Sequence, residues 1–344
     1  MLKKTISHLI TYTFLYLVTA PTAHANKTPP LREKQNIAVI SQPFVLDKKN
    51  PAQTKFGQLI WRGGLILSSR SPHFGGFSGL IVSNAGADLL AITDRGKWFK
   101  GKIVYENETP ASLTKTYIGP LRTTKDRLFN KTGYLDTEAI TQLSSRNYLI
   151  ANERNHAIRM FSRKDNRPDK QVASLPLPQQ MNKIRNNKGL ESLDKFKSGP
   201  YKGWILTFAE NDQDKNKALK GWLLKGKRTQ PIYLANMGDY SITDLKILSD
   251  GSVLILERHF RFSTGLRTRI RYVKAKHIKP NAILKGEVIL ALASPLVTDN
   301  MEGLSVHNDA QGKLIITLIS DDNFNMLQRT LLMQFELPKA IYNN

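Results

Sequence analysis

The sequence predicts an all-β protein with the architecture of a β-propeller. From Ile37 onward, short apolar runs of strand length alternate with clusters of Gly, Asn, Asp and Lys, which is typical of strands joined by turns. Long runs with the 3.6-residue period of a helix are nearly absent. A sequence pattern also recurs about every 55 residues, close to the length of a propeller blade. A pair of β-sandwiches is the alternative that these observations leave open.

The first 25 residues have the three parts of a secretory signal peptide. Lys3 and Lys4 form a positive n-region, an apolar run extends from Leu9 to Val18, and Ala23-His24-Ala25 is an A-x-A cleavage pattern. The apolar run is shorter than the roughly 20 residues that a membrane-spanning helix needs. We therefore expect export to the periplasm or to the outside of the cell. No later segment is apolar and long enough to be a transmembrane helix.

The remainder divides into a short lead-in and one large domain. Residues 26–36 are polar and contain two adjacent prolines, so we expect a flexible lead-in there. The propeller domain is predicted over residues 37–340. The stretches with the length and composition of strands lie at 37–45, 59–67, 89–93, 148–151, 204–209, 253–256, 314–319 and 331–337.

Five units share one plan, in which the first strand opens with a small or acidic residue and the second strand ends in charge. The openings are F-S-G-L at 77–80, D-T-E-A-I at 136–140, G-L-E-S-L at 189–193, I-T-D-L at 242–245 and M-E-G-L-S at 301–305. The strand ends are A-I-T-D-R-G at 91–96, I-A-N-E-R-N at 150–155, T-F-A-E-N-D at 207–212, L-I-L-E-R-H-F at 254–260 and L-I-S-D-D-N-F at 318–324. Such units are typical of propeller blades. The strands left over at 37–67 and 331–337 are expected to close the ring as one more blade. This predicts six blades, and five or seven if one boundary is misplaced.

The composition limits the chemistry and the partners. The chain has no cysteine, which excludes disulfides, cysteine nucleophiles and cysteine-bound zinc. Its 51 Lys and Arg against 28 Asp and Glu give a net charge of +23, and such a field favours an anionic partner, for instance a phosphorylated small molecule. A basic surface that serves only solubility is the alternative. Nucleic acid is not expected, because the alternating Arg267, Arg269 and Arg271 lack stacking aromatics on their strand face. We expect these arginines on a solvent-exposed outer strand.

Four acidic residues occupy the recurring position in the unit openings. These are Glu138, Glu191, Asp244 and Glu302. Because the innermost strands of a propeller line its central channel, equivalent residues of successive blades gather around the axis. Four carboxylates at one mouth repel each other and stay ionised only beside cations. Oxygen ligands of this kind suit Ca²⁺, with Asp321 as a fifth candidate ligand. The alternative is that the acids bind arginines or backbone groups and hold adjacent blades together.

A second set of charged residues follows the second strand of each unit. It comprises Asp94-Arg95, Glu153-Arg154, Glu257-Arg258 and Asp321-Asp322-Asn323. Neighbours on a strand point to opposite faces, so one member of each pair can face the channel mouth. Arg95, Arg154 and Arg258 are candidates to bind phosphate there, because a guanidinium group contacts phosphate through two nitrogens. A lattice of salt bridges between blades is the alternative.

Eight motifs in order resemble the phytase-like family, whose description is "esterase-like activity of phytase". They are F-G-G-F-S-G-L, A-I-T-D-R-G, D-T-E-A-I, N-K-G-L-E-S-L, Y-S-I-T-D-L, L-E-R-H-F, D-N-M-E-G-L-S and S-D-D-N-F, over roughly residues 74–337. The resemblance implies an exported bacterial β-propeller that hydrolyses phosphoesters. The acids that it carries over are Glu138, Glu191, Asp244, Glu257, Glu302 and Asp321. Ala139 departs from the family pattern, in which glycine is common at that turn.

The resulting hypothesis is a Ca²⁺-assisted phosphoester hydrolase. In it, Glu138, Glu191, Asp244 and Glu302 hold the ion, while Arg95, Arg154 or Arg258 balances charge on the transferred group. A propeller without catalytic activity, which binds an anionic ligand or a cell-envelope partner, is the first alternative. A carboxylic esterase is the second, although Gly76-Phe77-Ser78-Gly79 lacks the G-x-S-x-G spacing of a nucleophile elbow.

Overall fold

The computed structural model describes residues 29–129, 136–154, 156–179, 181, 184 and 188–342. Within these residues the regular secondary structure is almost wholly β-strand, as predicted. The predicted signal peptide and its cleavage site, together with residues 26–28 of the lead-in, lie outside the described residues. None of the helices found among the described residues has the length and apolar character needed to cross a membrane.

The strands are numbered in chain order. The first half of the chain contains β1 (Gln35–Asn36), β2 (Ile40–Phe44), β3 (Lys55–Phe56), β4 (Leu59–Ser68), β5 (Phe77–Ser83), β6 (Asp88–Thr93), β7 (Lys97–Glu106), β8 (Thr109–Pro120), β9 (Thr137–Gln142), β10 (Asn147–Asn152), β11 (Ala157–Lys164) and β12 (Arg167–Ser174). The second half contains β13 (Leu190–Lys195), β14 (Ile205–Gln213), β15 (Leu219–Lys225), β16 (Arg228–Leu234), β17 (Ser241–Ile247), β18 (Val253–Arg261), β19 (Gly265–Val273), β20 (Ile283–Leu284), β21 (Glu287–Ala293), β22 (Met301–Asn308), β23 (Leu314–Ser320) and β24 (Thr330–Leu337). A short helix, α1 (Lys339–Tyr342), follows β24.

These strands form five sheets, which are the blades of a propeller. Blade 1 consists of β5 to β8 with β1 at its outer edge, blade 2 of β9 to β12, and blade 3 of β13 to β16 with β20 outside. Blade 4 contains β17, β18, β19 and β21, and blade 5 contains β22, β23, β24, β4 and β2, with β3 paired to β4. The innermost strands β5, β9, β13, β17 and β22 contact one another in this order, and β22 contacts β5. The ring of inner strands is therefore closed.

The propeller has five blades, which lies within the predicted range but is one fewer than the six expected. The strands at 37–67 and 331–337 do not form a blade of their own. Instead, β24 pairs with β23 on one side and with the N-terminal β4 on the other, and both strands complete blade 5. The N-terminal strands occupy only outer positions, and five inner strands already close the ring.

Part of the predicted lead-in packs onto blade 1. Leu31 is buried in the apolar core that this blade shares with blade 5. β1 pairs with Ile118 and Tyr117 at the outer edge of β8. The hydroxyl of Thr116 donates a hydrogen bond to the carbonyl oxygen of Ile37 at 2.5 Å. Residues 35–36 thus extend the first sheet, and Leu31 anchors the segment before them.

The apolar core is divided among the blade boundaries. Five clusters of buried apolar side chains each join two adjacent blades. Between blades 1 and 2, for example, Trp98 packs in one cluster with Ile140 and Phe161. Burying both faces of every sheet in this way removes most apolar surface from water. The polar and charged residues at the ends of the inner strands are not needed in these clusters and line the axial cavity instead.

Candidate functional site

Each inner strand contains a β-bulge near its first residue. The backbone register shifts in this region of β5, β9, β13, β17 and β22. The residues at these bulges are Ser78, Glu138, Glu191, Thr243 and Glu302. A bulge redirects a side chain away from the regular alternation of the strand. Glu138, Glu191 and Glu302 consequently line the central cavity, as the repeat predicts.

Asp244 lies one residue beyond the bulge, and the structure does not bring it to the cavity. Its carboxylate is fully buried and accepts hydrogen bonds from the ammonium group of Lys246 at 2.9 Å and from the backbone N–H of Leu304 at 2.9 Å. Leu304 belongs to the inner strand of blade 5, so Asp244 joins two blades. The position equivalent to the three glutamates is occupied by Thr243, whose hydroxyl donates to the carbonyl oxygen of Met301 at 3.0 Å.

The second ring of the site lies at or near the end of the second strand of each blade. It consists of Asp94, Glu153, Glu210, Arg258 and Asp321. In four blades the backbone N–H of this residue donates to the residue that precedes the inner strand or opens it, at 2.9 Å, and in blade 4 Arg258 pairs with Ser241 in the same register. All five residues line the cavity. The sequence interpretation missed Glu210, because Asn rather than Arg follows it. Glu210 occupies the same place in the repeat as Glu153, and this equivalence is the signal that could have identified it.

Glu257 precedes the ring position and points away from the axis. Its carboxylate is fully buried between Arg269 (Nε to Oε2, 2.8 Å) and Arg271 (Nη2 to Oε1, 2.6 Å). Both arginines are buried as well. The expectation of a solvent-exposed basic strand is therefore wrong for these two residues, and only Arg267 of the three is exposed. The carboxylate of Glu257, on the paired strand β18 opposite Arg269, is what allows the guanidinium groups to be buried.

The two rings open into a cavity of ≈ 790 Å³ at one end of the propeller axis. Among the described residues that line it, nine have carboxylates and three have guanidinium groups. The carboxylates belong to Asp94, Asp136, Glu138, Glu153, Glu191, Glu210, Asp299, Glu302 and Asp321, and the guanidinium groups to Arg154, Arg258 and Arg329. The cavity is therefore acidic, although the protein as a whole has a net charge of +23.

Burial and mutual repulsion oppose ionisation of these carboxyl groups. Burial, followed by the charge of Glu210, raises the pKa of Glu153 to about 7. Burial also raises the pKa of Glu302 to about 7, against the opposing effect of Arg258, and that of Asp321 to about 8. The pKa values of Glu138 and Glu191 lie well above the usual range, again because of burial first and of neighbouring glutamates second. At neutral pH the cavity thus requires either bound protons or a cation.

The arginines of the site have different surroundings. Arg258 Nε lies 3.0 Å from Glu302 Oε1, and its Nη2 donates to Glu210 Oε1 at 3.3 Å. Arg154 pairs with Asp136 at the exposed mouth, and Arg329 Nε lies 3.6 Å from Asp299 Oδ2. Arg329 was not singled out in the sequence, because it follows no recurring motif.

Arg95 is a predicted phosphate ligand that does not line the cavity. Its guanidinium carbon lies 3.3 Å from the ring centroid of Phe324, a cation–π arrangement. Phe324 itself has a positive φ of 51°. The neighbouring Gly76 also has a positive φ, and a side chain there would collide with Asp94 and Phe324. The F-G-G-F motif therefore allows the backbone to pass close to the second ring.

Three of the carboxylates are arranged in a way that suits a metal ion. Glu153, Glu191 and Glu210 each offer one oxygen, and these atoms lie within 4.8 Å of one another. Two oxygens bound to one Ca²⁺ at 2.3–2.6 Å can be separated by at most about 5 Å. Oxygen-only donors also match the preference of Ca²⁺. In addition, Asp94 Oδ1 is buried without a hydrogen-bond partner among the described residues. The donor set therefore fits Ca²⁺, and only Glu191 of the trio was among the predicted metal ligands.

Solved structures with a similar overall fold share little sequence with this chain. An endo-arabinase from Bacteroides thetaiotaomicron VPI-5482 is 12% identical with a TM-score of 0.45, over 76% of this chain and 94% of that one. The C-terminal WD40 domain of Sif2 is 11% identical with a TM-score of 0.34, over 81% of this chain and 77% of that domain. Likenesses of this degree carry no information on ligands or activity. No curated protein matches the sequence.

A comparison with models of protein families shows which family the chain belongs to. The model for phytase-like proteins, described as "esterase-like activity of phytase", matches residues 72–324. The match begins just before blade 1 and ends in the loop after β23, so it contains both rings of the cavity. With the five-bladed propeller and the ordered motifs of each blade, the chain belongs to the phytase-like family.

Proposed function

We propose that the protein is an exported phosphoester hydrolase that uses Ca²⁺ bound in the axial cavity. The observation that carries this proposal is the carboxylate trio Glu153, Glu191 and Glu210, whose oxygens lie within 4.8 Å of one another. The trio lies in the acidic axial cavity of ≈ 790 Å³ of a phytase-like chain. Export rests on the predicted signal peptide.

The proposed ion resolves the charge imbalance of the cavity. The trio would hold Ca²⁺, and Glu138 and Glu302 are further candidate ligands because they line the same cavity. When bound, Ca²⁺ would offset the repulsion of the carboxylates and polarise a phosphoryl oxygen. Such positive charge would favour the entry of an anionic phosphoester into a cavity with nine carboxylates and three guanidinium groups.

The chain's own cations would bind and orient the substrate. Arg154 and Arg329 lie at the mouth, and 66% and 42% of their side chains are exposed, so both guanidinium groups can contact a phosphate there. Arg258 lies deeper and is held by Glu302 and Glu210. We assign Arg258 a positioning role, because its guanidinium group fixes two of the carboxylates that surround the proposed reaction site.

Asp321 is the proposed source of the proton for the leaving group. Burial raises its pKa to about 8, so its carboxyl group retains a proton at neutral pH. Its Oδ1 accepts a hydrogen bond from the backbone N–H of Asn323 at 2.7 Å, which orients the group at the cavity wall. A carboxylic acid with a pKa near the working pH is well suited to protonate an alkoxide leaving group.

The structure bears differently on the two alternatives, a serine esterase and a propeller that only binds a ligand. A serine esterase would need a serine and a histidine in the cavity, and the described lining residues include neither. Ser78, at its bulge, donates to the carbonyl oxygen of Thr137 instead. A propeller that only binds a ligand remains the competing function, and it is favoured by the neutralisation of Arg258 by two glutamates.

An assay of the purified protein tests the proposal. Substrates are p-nitrophenyl phosphate, bis(p-nitrophenyl) phosphate and p-nitrophenyl butyrate, each with Ca²⁺ and with chelator. We expect Ca²⁺-dependent hydrolysis of a phosphoester, and Glu191→Gln should lower kcat/KM by about tenfold or more. Glu106→Gln, an acid-to-amide change at an exposed position outside the cavity, is the matched control.

Calorimetric titration with Ca²⁺ separates the outcomes. If Ca²⁺ binds, Glu191→Gln weakens this binding and no ester is turned over, the ligand-binding alternative would replace the hydrolase. Turnover that is insensitive to chelator would contradict the role of the metal, and cleavage of the butyrate ester alone would contradict the phosphoester.

A further inference from the structure

Two loop tips at the mouth of the axial cavity expose large apolar side chains. Phe262, in the turn between β18 and β19, and Met326, in the loop between β23 and β24, are fully exposed. Phe260 and Leu327 are also exposed, and both line the cavity. The tips of blades 4 and 5 therefore flank the same opening. We call these four residues the apolar rim.

Another hairpin of the same protein shows that such a tip does not have to be apolar. In blade 3, β14 also continues beyond the second-ring residue, here Glu210. The turn that follows contains Lys215, Asn216 and Lys217, which are all exposed. A polar tip therefore suffices for folding at the equivalent place. A phenylalanine in water at the tip of blade 4 contributes nothing to the stability of the fold, and exposed apolar groups of this kind mark interaction surfaces.

Positive charge lies beside the apolar rim. Arg261 stands between the two phenylalanines, Arg267 is exposed on the strand opposite, and Arg329 follows Leu327 by two residues. Arg261 pairs with Asp239 at 3.0 Å, and both side chains are mostly exposed, so the pair can open readily. Arg267 forms no ion pair with any described residue. Because the cavity itself is acidic, the excess of Lys and Arg over Asp and Glu in the chain lies outside the cavity.

We propose that the apolar rim docks the propeller mouth on an anionic lipid surface. In this arrangement Phe262 and Met326 enter the region between head groups and acyl chains, and Arg261 and Arg267 contact lipid phosphates. The rim occupies the tips of the adjacent blades 4 and 5, and the exposed Arg261 and Arg267 beside it complement anionic lipid head groups. A fluid lipid interface accepts two separate insertions. This proposal does not depend on hydrolysis in the cavity.

Vesicle co-sedimentation tests the docking. The full chain, as the host cell processes it, is mixed in chelator with vesicles of phosphatidylcholine alone or of an equal mixture of phosphatidylcholine and phosphatidylglycerol. Chelator prevents Ca²⁺ from bridging protein and lipid. The test variant is Phe262→Ser with Met326→Ser. The matched control is Ile40→Ser with Val172→Ser, which removes two exposed apolar side chains from outer strands. All proteins share one N-terminus, so the leader cannot cause a difference between them.

We expect the native protein and the control to sediment with the anionic vesicles and to bind neutral vesicles weakly. The rim variant should partition at least about tenfold less onto the anionic vesicles, while its melting temperature stays unchanged. Equal binding of all three proteins would overturn the proposal, because the general basic surface would then suffice. Absence of binding to either vesicle would overturn it too. A native dimer in analytical ultracentrifugation that the rim variant abolishes would assign the rim to a second copy of the chain instead.

Discussion

Arg258 and Glu302 form an ion pair of 3.0 Å between Nε and Oε1, across the boundary of blades 4 and 5. Arg258 also binds Glu210, and it is the one member of the second ring that is a base. The nearby Glu302 is the main reason that the pKa of Arg258 is raised. One guanidinium group thus balances carboxylates of both rings.

Replacing this cation should make folding depend on metal. In chelator, Arg258→Gln should lower the free energy of unfolding by about 2 kcal/mol, less than for a fully buried pair because the side chain is about a third exposed. Ca²⁺ should restore most of the loss, since it supplies the missing positive charge. Thermal melts with Ca²⁺ and with chelator measure this effect. Arg261→Gln, which opens an exposed pair, is the control, and an equal loss in both buffers would speak against a metal in the cavity.

The stability of the metal-free protein should fall as the pH rises. The pKa of Glu302 is about 7 in the folded protein against 4.5 ordinarily, so the folded state binds more protons between these values. The stabilisation is complete below pH 4.5 and is lost as the pH passes 7, which amounts to about 3 kcal/mol for this residue. The pKa values of Glu153 and Asp321 are raised in the same direction. Melts in chelator from pH 5 to pH 8.5 should show the fall, and saturating Ca²⁺ should reduce it. A melting temperature that rises over this range would contradict the acidic cavity.

Asp244 should stabilise the fold without influencing metal binding. Asp244→Asn leaves Lys246 buried without its carboxylate and weakens the acceptor for the N–H of Leu304. We expect a loss of about 3 kcal/mol in the free energy of unfolding, of the same size with Ca²⁺ and with chelator. Denaturant titration in the two buffers provides the comparison. Weaker Ca²⁺ affinity in Asp244→Asn, measured by calorimetry at a temperature where the variant is folded, would return this residue to the list of ligands.

Glu257 should be among the most sensitive single positions for stability. Glu257→Gln removes the charge that is shared by Arg269 and Arg271, and both guanidinium groups are then buried without a counterion. The expected loss is about 3–5 kcal/mol. Glu287→Gln, at an exposed residue of β21 in the same blade, should change stability by less than about 0.5 kcal/mol. Similar denaturation midpoints for the two variants would refute the predicted difference.

Processing of the N-terminus is a separate prediction. We expect the exported protein to begin at Asn26, after the A-x-A pattern of residues 23–25. Intact-mass measurement of protein from the cell envelope or the medium checks this. Ala25→Arg, which should block cleavage, is the matched control. Native protein from these fractions that retains Met1 would contradict a cleaved leader.

The sequence alone was sufficient for the fold class and for much of the cavity. The short apolar runs of strand length and the repeat of the blade openings predicted the propeller, since each blade is a local unit of consecutive strands. The same repeat identified Glu138, Glu191 and Glu302, because equivalent positions in equivalent strands must face the same axis. The motifs also identified the family, which the family model confirms over residues 72–324.

Only the tertiary structure determined the orientation of two acidic side chains, the number of blades and the assembly of the carboxylate trio. Each of these depends on a register shift of one residue or on contacts between distant parts of the chain. Asp244 and Glu257 resemble the cavity acids in sequence, but Asp244 lies one residue beyond the bulge at Thr243 and Glu257 one residue before the ring position, so both point into the blades. The blade count depended on whether N-terminal strands would pair with β24, which is a contact between the two ends of the chain. The trio Glu153, Glu191 and Glu210 joins blades 2 and 3, so only the packing of one sheet against the next brings its oxygens together.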